Sequence, residues 1–121
     1  MNDDVRTALE QDRLIDITTI GRKSGKPSRK EIVFHNVDGT IYITGMPGKR
    51  DWYANMLENP EFTFHLKQST EADLLARATP ITDEGEKRRL LPPMLESMNR
   101  SEELDRWVAD SPLVKVELIQ T

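Results

Sequence analysis

Residues 14–30, LIDITTIGRKSGKPSRK, join an apolar segment to a strongly basic one. The first part, LIDITTI at residues 14–20, is rich in β-branched residues in rough alternation, which predicts a β-strand. The second part, GRKSGKPSRK at residues 21–30, holds five cations among glycines, serines and a proline. Glycine, serine and proline at this density predict a loop rather than a regular element.

Alternating or β-branched segments continue along the chain. They predict further strands at residues 30–36, 40–45, 61–68, 71–82 and 113–119. Asp38-Gly39 lies between the first two of these and is a common hairpin turn, so we expect those strands to pair with each other.

Helices are predicted between the strands, at residues 3–12, 51–59, 82–99 and 101–109. We expect their N-termini to be capped by Asn2 or Asp3, by Asp51, by Thr82 or Asp83 with Glu86 in a capping box, and by Ser101. Pro92-Pro93 is expected to interrupt the third helix, because proline cannot donate a helical hydrogen bond.

This order of elements predicts the fold class. Six mostly antiparallel strands interrupted by helices are too few for a sandwich, so we predict a small, mainly β barrel of the α+β class with helical insertions. Residues 1–121 are expected to form a single domain, because no linker-like segment divides them.

Composition narrows the classes of function. The 121 residues include no cysteine, which excludes disulfides, thiolate metal sites and cysteine nucleophiles. The formal net charge of -4 argues against a general nucleic-acid-binding protein. The polar N-terminal segment and the lack of any apolar run near ~20 residues predict no signal peptide, no stable membrane anchor and a cytoplasmic location.

The basic loop has the composition of an anion site. Its cations repel one another unless an anion or nearby carboxylates offset them. The glycines allow close backbone approach, and the cations supply charge-assisted hydrogen bonds to phosphate or carboxylate groups. The alternative is a solvated basic surface loop that is screened by salt.

A second glycine-containing segment supports the first interpretation. GMPGKRDWYANMLENP, residues 45–60, leaves a predicted strand with two cations and enters a helix N-terminus, which favours anions. Together the two segments predict a site for a ring system with an anionic tail. The alternative for Trp52 and Tyr53 is packing of the short helix in the core.

The two histidines have a second interpretation. If the strands that carry His35 and His65 were neighbours, the two rings could bind a metal ion or haem. Strand alternation favours ordinary half-exposed positions for both, so we predict no metal site.

These segments carry a resemblance to a known family. TTIGRKSGKPSR, the hairpin DGTIYITG and then DWYANMLENP resemble the deazaflavin-dependent nitroreductase family in order and separation. The resemblance covers roughly residues 14–82 and implies a split β-barrel. It also implies binding of coenzyme F420, a deazaflavin with a phosphate and a polyglutamate tail, and hydride transfer to nitroaromatics, quinones or other small unsaturated acceptors.

The resemblance also implies roles for individual residues. The phosphate and tail would be held by Arg22, Lys23, Ser24, Gly25 and Arg29, with Lys49 or Arg50 reaching the phosphate. Gly45, Met46 and Gly48 would lie along the ring. Trp52 and Tyr53 would border the acceptor, with Tyr53 as a candidate proton donor, and Asn55 would brace the loop.

Other functions remain open from the sequence. The segment TGMPGKRDWY is shorter than the family's usual loop, which leaves FMN as the alternative cofactor. A non-catalytic protein that binds an anionic ligand is a further alternative. A homodimer is possible, because related flavin-binding split barrels are often dimers.

Overall fold

The computed structural model describes residues 1–119, in which six strands close into an antiparallel barrel. The strands are β1 (Leu14–Ile20), β2 (Pro27–Val37), β3 (Thr40–Thr44), β4 (Glu61–Leu66), β5 (Ala72–Pro80) and β6 (Leu113–Leu118). Around the barrel their order is β1-β2-β3-β6-β5-β4, and pairing of β4 with β1 completes the ring. The predicted six-stranded, mainly β architecture is confirmed.

Four α-helices lie outside the ring of strands in the described chain. They are α1 (Asp3–Gln11), α2 (Asp51–Glu58), α3 (Glu84–Ser97) and α4 (Leu104–Asp110), and a 3₁₀ turn at Ser101–Glu103 precedes α4. The Asn2 side chain caps α1 by accepting from Val5 N at 2.8 Å, as predicted. Asp83 caps α3 in the same way, by accepting from Glu86 N at 2.9 Å. None of the helices in residues 1–119 is both long and apolar enough to cross a membrane.

Two apolar clusters stabilise the fold. The first fills the barrel with inward-facing strand residues such as Ile15, Ile17 and Phe64, and α1 and α2 add Val5 and Trp52. The second lies under α3 and α4 and is built largely from their apolar residues, among them Leu91, Met94, Leu95 and Trp107. Successive side chains of a strand point alternately into and out of the barrel. In β1, buried residues therefore alternate with more exposed ones, as its sequence predicts.

Three details of the predicted helices were wrong. Asp51 is the first residue of α2 rather than its cap, and the capping position falls on Arg50, whose side chain makes no capping bond. Ser101 lies inside the 3₁₀ turn instead of capping α4. Pro92 and Pro93 lie within an uninterrupted α3. Both prolines are on its exposed face, where water can bond the carbonyl groups that lose their helical donors.

The predicted loop at residues 21–30 was too long. Residues Pro27 to Lys30 already belong to β2 and pair with β1, with Ile20 opposite Pro27 and Ile17 opposite Lys30. Their polar composition hid the strand, because this part of β2 is exposed and shows no alternation of apolar residues.

The expectation that both histidines are half-exposed was also wrong. His35 and His65 are 7% and 6% exposed. Their strands are not neighbours, because β1 lies between β2 and β4. His65 instead bonds Thr18 Oγ1 and Asp73 Oδ1, each at 2.7 Å. No cluster of metal-ligating side chains occurs within residues 1–119.

Burial of His35 predicts a stability loss in mild acid. Desolvation, aided by the Arg13 charge, lowers the pKa of His35 from 6.5 to about 4. Between these values the unfolded chain binds the proton more readily, so the free energy of unfolding falls as the pH drops from about 6.5 to about 4. The expected loss is on the order of 3 kcal/mol.

Urea unfolding at pH 7, 5.5 and 4 measures this effect in the wild type and in His35→Gln. The variant lacks the titrating group, so its unfolding free energy should fall less over the same interval. Parallel curves for the two proteins would contradict the assignment to His35.

Candidate functional site

Two turns lie at the same end of the barrel. The basic turn, residues 21–26, joins β1 to β2, and the glycine turn, residues 45–50, joins β3 to α2. β1 and β3 both pair antiparallel with β2, so they run in the same direction and end on the same side. The topology therefore brings together two segments that are far apart in sequence.

The side chain of Asn55 on α2 connects the basic turn to β1. Its Oδ1 accepts from the Arg22 backbone N–H at 3.1 Å and from Arg22 Nη1 at 3.0 Å. Its Nδ2 donates to Thr19 Oγ1 at 3.1 Å, and both Asn55 and Thr19 are buried. Arg22 Nη2 also lies 3.4 Å from Asp51 Oδ1. Asn55 thus holds the turn against α2, and Arg22 is part of that connection.

The basic turn is also held by its own backbone. Gly21 N donates to Lys26 O at 2.8 Å, and Gly25 N donates to Gly21 O at 2.9 Å. Gly25 has φ +70°, in the region that favours glycine. Ser24 Oγ accepts from Lys26 N at 3.1 Å, so its oxygen shapes the turn while its own hydrogen stays available to donate.

The glycine turn is held by Arg50. Its Nε donates to Met46 O at 3.2 Å, and its Nη2 donates to Pro47 O at 3.1 Å. Gly48, with φ +116°, donates its N–H to Asp110 O at 3.0 Å. The Arg50 guanidinium therefore bonds the carbonyl groups of its own turn and stabilises the shape of that turn.

The aromatic pair divides between core and surface. Trp52 is 4% exposed and packs in the barrel cluster, so the core interpretation holds for it. A Cβ built on Gly45 would lie 3.2 Å from Trp52 Cζ2, a tight contact, so the glycine lets the Trp52 ring pack closely beneath the turn. Tyr53 is half-buried and meets Trp52 edge-on with 6.0 Å between ring centres. Burial raises the pKa of Tyr53 above its ordinary value, which is already well above neutral pH, so its hydroxyl carries its proton.

Three clefts surround these turns. The turn cleft, about 310 Å³, lies against the basic turn, and the central cleft, about 390 Å³, lies between β1, the start of β2 and α2. The third, which we name the Lys87 cleft, is about 530 Å³ and lies between the glycine turn, α3 and residues 109–112. Asp51 and Asn55 line the first two, and Lys49 and Arg50 line the last two, so neighbouring clefts share walls, and we call the three clefts together the groove.

Most of the predicted site residues line this groove. They are Arg22, Lys23, Ser24, Arg29, Gly48, Lys49, Arg50, Trp52 and Tyr53. Gly25, Gly45 and Met46 do not line any of the three clefts, and Met46 is 43% exposed beside them.

The cations of the groove fall into two groups. Arg29 Nε donates to Asp16 Oδ2 at 3.0 Å on the outer face of the barrel. Hydrogen bonds from Lys67 and Arg29 hold the pKa of Asp16 below its usual range, so this pair is charged. By contrast, no carboxylate oxygen within residues 1–119 lies within 4.0 Å of the ammonium groups of Lys23, Lys26 or Lys49.

Sequence reasoning missed two residues of the groove. Lys87 is buried on α3, and its Nζ donates to Ser111 O at 2.7 Å. Burial lowers the pKa of this ammonium group, although the charges of Asp110 and Glu84 raise it in part. One signal was present in the sequence: Lys87 stands three, four and seven residues before apolar positions, so it lies on the buried row of α3. Ser111 gave no such signal.

Comparison of whole structures defines the class of the fold as a split β-barrel. Mycobacterium tuberculosis Rv2991, a conserved hypothetical protein, has a TM-score of 0.76 at 16% identity over 99% of this chain and 82% of that chain. HutZ, the haem storage protein of Vibrio cholerae, has a TM-score of 0.72 at 15% identity over 97% and 89%. A FAD-binding protein of Mesorhizobium loti has 0.68 at 17% over 95% and 87%. At these identities the likeness shows the shared fold.

The family itself follows from the sequence match. Residues 2–115 match the family described as F420H(2)-dependent quinone reductase, and the chain belongs to that family. The family resemblance seen in the basic and aromatic segments is confirmed, and the general function is that of an oxidoreductase. Among curated proteins, none matches the chain.

Replacement of Asn55 by alanine tests the connection between α2 and the basic turn. Asn55→Ala removes three hydrogen bonds and leaves the buried Thr19 hydroxyl without this partner. We expect the free energy of unfolding to fall by about 2–3 kcal/mol in a urea titration. The matched control is Asn59→Ala on the same segment, whose side chain makes one exposed bond of 3.4 Å, and it should lose under about 1 kcal/mol. Equal losses would contradict the role of Asn55.

Proposed function

We propose that this protein transfers a hydride from reduced coenzyme F420 to a small unsaturated acceptor such as a quinone or nitroaromatic. The observation that carries the proposal is the convergence of the basic turn and the glycine turn on the start of α2, beside lysines that have no carboxylate partner among residues 1–119. The family of the chain agrees with this reaction.

The donor set of the groove fits a ligand with a phosphate and several carboxylates. Lys23 and Lys26 line the turn cleft, and Lys49 lines the next two clefts, so positive charge follows the whole groove. The first N–H groups of α2 have no side-chain cap and add a further attraction for an anion. We propose that these lysines and the Ser24 hydroxyl bind the phosphate and tail. The Arg22 guanidinium, which Asn55 holds in place, also contributes to this binding.

Some residues act on the shape of the site instead of touching the anion. Arg50 fixes the glycine turn through two carbonyl groups, and Arg29 is paired with Asp16, so their contribution to binding is smaller than that of the lysines. Gly45 allows Trp52 to pack beneath the turn. We propose that the ring lies along the glycine turn at Gly45, Met46 and Gly48, and that Gly25 shapes the basic turn.

The chemistry divides between the cofactor and the chain. Coenzyme F420, when bound, supplies the hydride. The groove orients the reactants, which lowers the entropic part of the barrier. Tyr53 holds a phenolic proton beside the Lys87 cleft, and we propose that it donates this proton to the reduced acceptor.

One titration panel tests the cofactor. Coenzyme F420, FMN and haem are each titrated into the same protein, and binding is followed by the fluorescence or absorbance of the ligand. We expect micromolar affinity for coenzyme F420 and, with the reduced form, oxidation in the presence of menadione. Tighter binding of FMN than of coenzyme F420 would indicate that the cofactor of this oxidoreductase is FMN. Binding of the deazaflavin with no turnover of quinones or nitroaromatics would make the protein a binder of anionic ligands.

Charge reversal tests the lysine assignment. Lys23→Glu/Lys49→Glu should weaken the affinity for oxidised coenzyme F420 by at least about tenfold, equivalent to about 1.4 kcal/mol, because repulsion replaces attraction at two places along the groove. The control is Lys115→Glu, an exposed residue of β6 outside the three clefts. An unchanged Kd in the double variant, measured by fluorescence titration at low salt, would refute the assignment.

A further inference from the structure

In the part of the chain that the structure describes, the Lys87 cleft contains a buried cation without a paired anion. Lys87 is 7% exposed, and within residues 1–119 no carboxylate oxygen lies within 4.0 Å of its Nζ. The bond from Nζ to Ser111 O uses one of three N–H donors. Buried ammonium groups are costly unless they are paired, so this position favours an anionic or strongly accepting ligand.

Ser111 supplies the second observation. Its hydroxyl is the one buried side-chain polar atom in the described chain that has no hydrogen-bond partner. Ser111 is 3% exposed and lines the same cleft as Lys87. Buried hydroxyls in folded proteins nearly always have a partner, such as an ordered water or a ligand, so Ser111 marks an unmet polar group in the wall of the cleft.

The remaining wall combines positive charge with apolar surface. The lining includes three further cations, Lys49, Arg50 and Arg106, and one carboxylate, that of Asp110. Ile81 and Pro112 provide apolar faces, and the volume of about 530 Å³ falls within the range for small-molecule sites. This combination suits a flat ring that carries an acidic group.

We propose that the Lys87 cleft binds the hydride acceptor and selects ring compounds that carry a carboxylate. Lys87 recognises the acid group, and the ring lies against Ile81 and Pro112, within reach of Tyr53. That the bound compound accepts the hydride rests on the proposed function. The preference of the cleft for an aromatic acid does not depend on it. If Lys87 were purely structural, it would only tie α3 to the segment before β6, and the cleft would show no preference for acids.

Binding of redox-inert probes tests the cleft directly. The probes are 2-naphthoate and its neutral counterpart 2-naphthamide, measured by calorimetry with the protein alone and with the protein saturated with coenzyme F420. We expect 2-naphthoate to bind at least tenfold more tightly than 2-naphthamide under at least one condition. Lys87→Met should remove that preference and leave the affinity for 2-naphthamide unchanged. Arg89→Met, which removes one charge from an exposed position of α3 outside the cleft, should retain the preference.

A spectroscopic measurement on the wild type keeps the test independent of whether Lys87→Met folds. In ¹H–¹⁵N spectra, 2-naphthoate should shift the amides of Lys87 and Ser111 and leave Gly39, in the hairpin at the other end of β2 and β3, unmoved. Equal affinity for the two probes, an equal loss in Arg89→Met, or shifts that avoid Lys87 and Ser111 would overturn the proposal. If the acid binds at Lys87 but coenzyme F420 does not bind, only the proposed function fails.

Discussion

The buried amide of Asn55 is the interaction on which the site depends. It bonds the hydroxyl of Thr19 on β1 and two groups of Arg22 in the basic turn, and so fixes three segments of the chain relative to one another. Barrel topology alone brings the turns to one end; it does not set their distance from α2. An asparagine side chain is suited to holding the basic turn and β1 against α2, because it is neutral and carries both an acceptor and donors. The buried polar groups of Asn55 and Thr19 therefore have partners.

Pairing of charges separates the structural cations from those available to a ligand. Arg29 and Lys67 meet Asp16 on the outside of the barrel, and Arg50 bonds the carbonyl groups of its own turn. Arginine suits such fixed geometry because its planar group donates in several directions at once. The lysines of the groove have flexible stems and compact charges, which suit a ligand whose anionic tail has no single conformation.

The fold was predictable because its signals are local. Alternation in β1 and β4, the Asp38-Gly39 turn and the caps at Asn2 and Asp83 each arise within a few residues. The exposed start of β2 was missed because pairing with β1, and not its own pattern, makes it a strand.

The site was predictable only in part. Glycines and cations marked the two turns, but which cations are paired depends on residues distant in sequence, such as Asp16 for Arg29. The role of Ser111 arises from packing beneath α3 and has no local signal. Likewise, Trp52 and Tyr53 are adjacent in sequence, and only the geometry of α2 sends one inward and leaves the other at the groove.

The anchors of the glycine turn come from the segment that leads into the last strand. Gly48 N bonds Asp110 O, and Thr44 Oγ1 donates to Pro112 O at 2.7 Å. These bonds tie the glycine turn to residues 110–112, which lead directly into β6, the strand that lies between β3 and β5. The glycine turn is therefore fastened to the strand that closes the barrel, so the shape of this end of the groove depends on β6 staying docked.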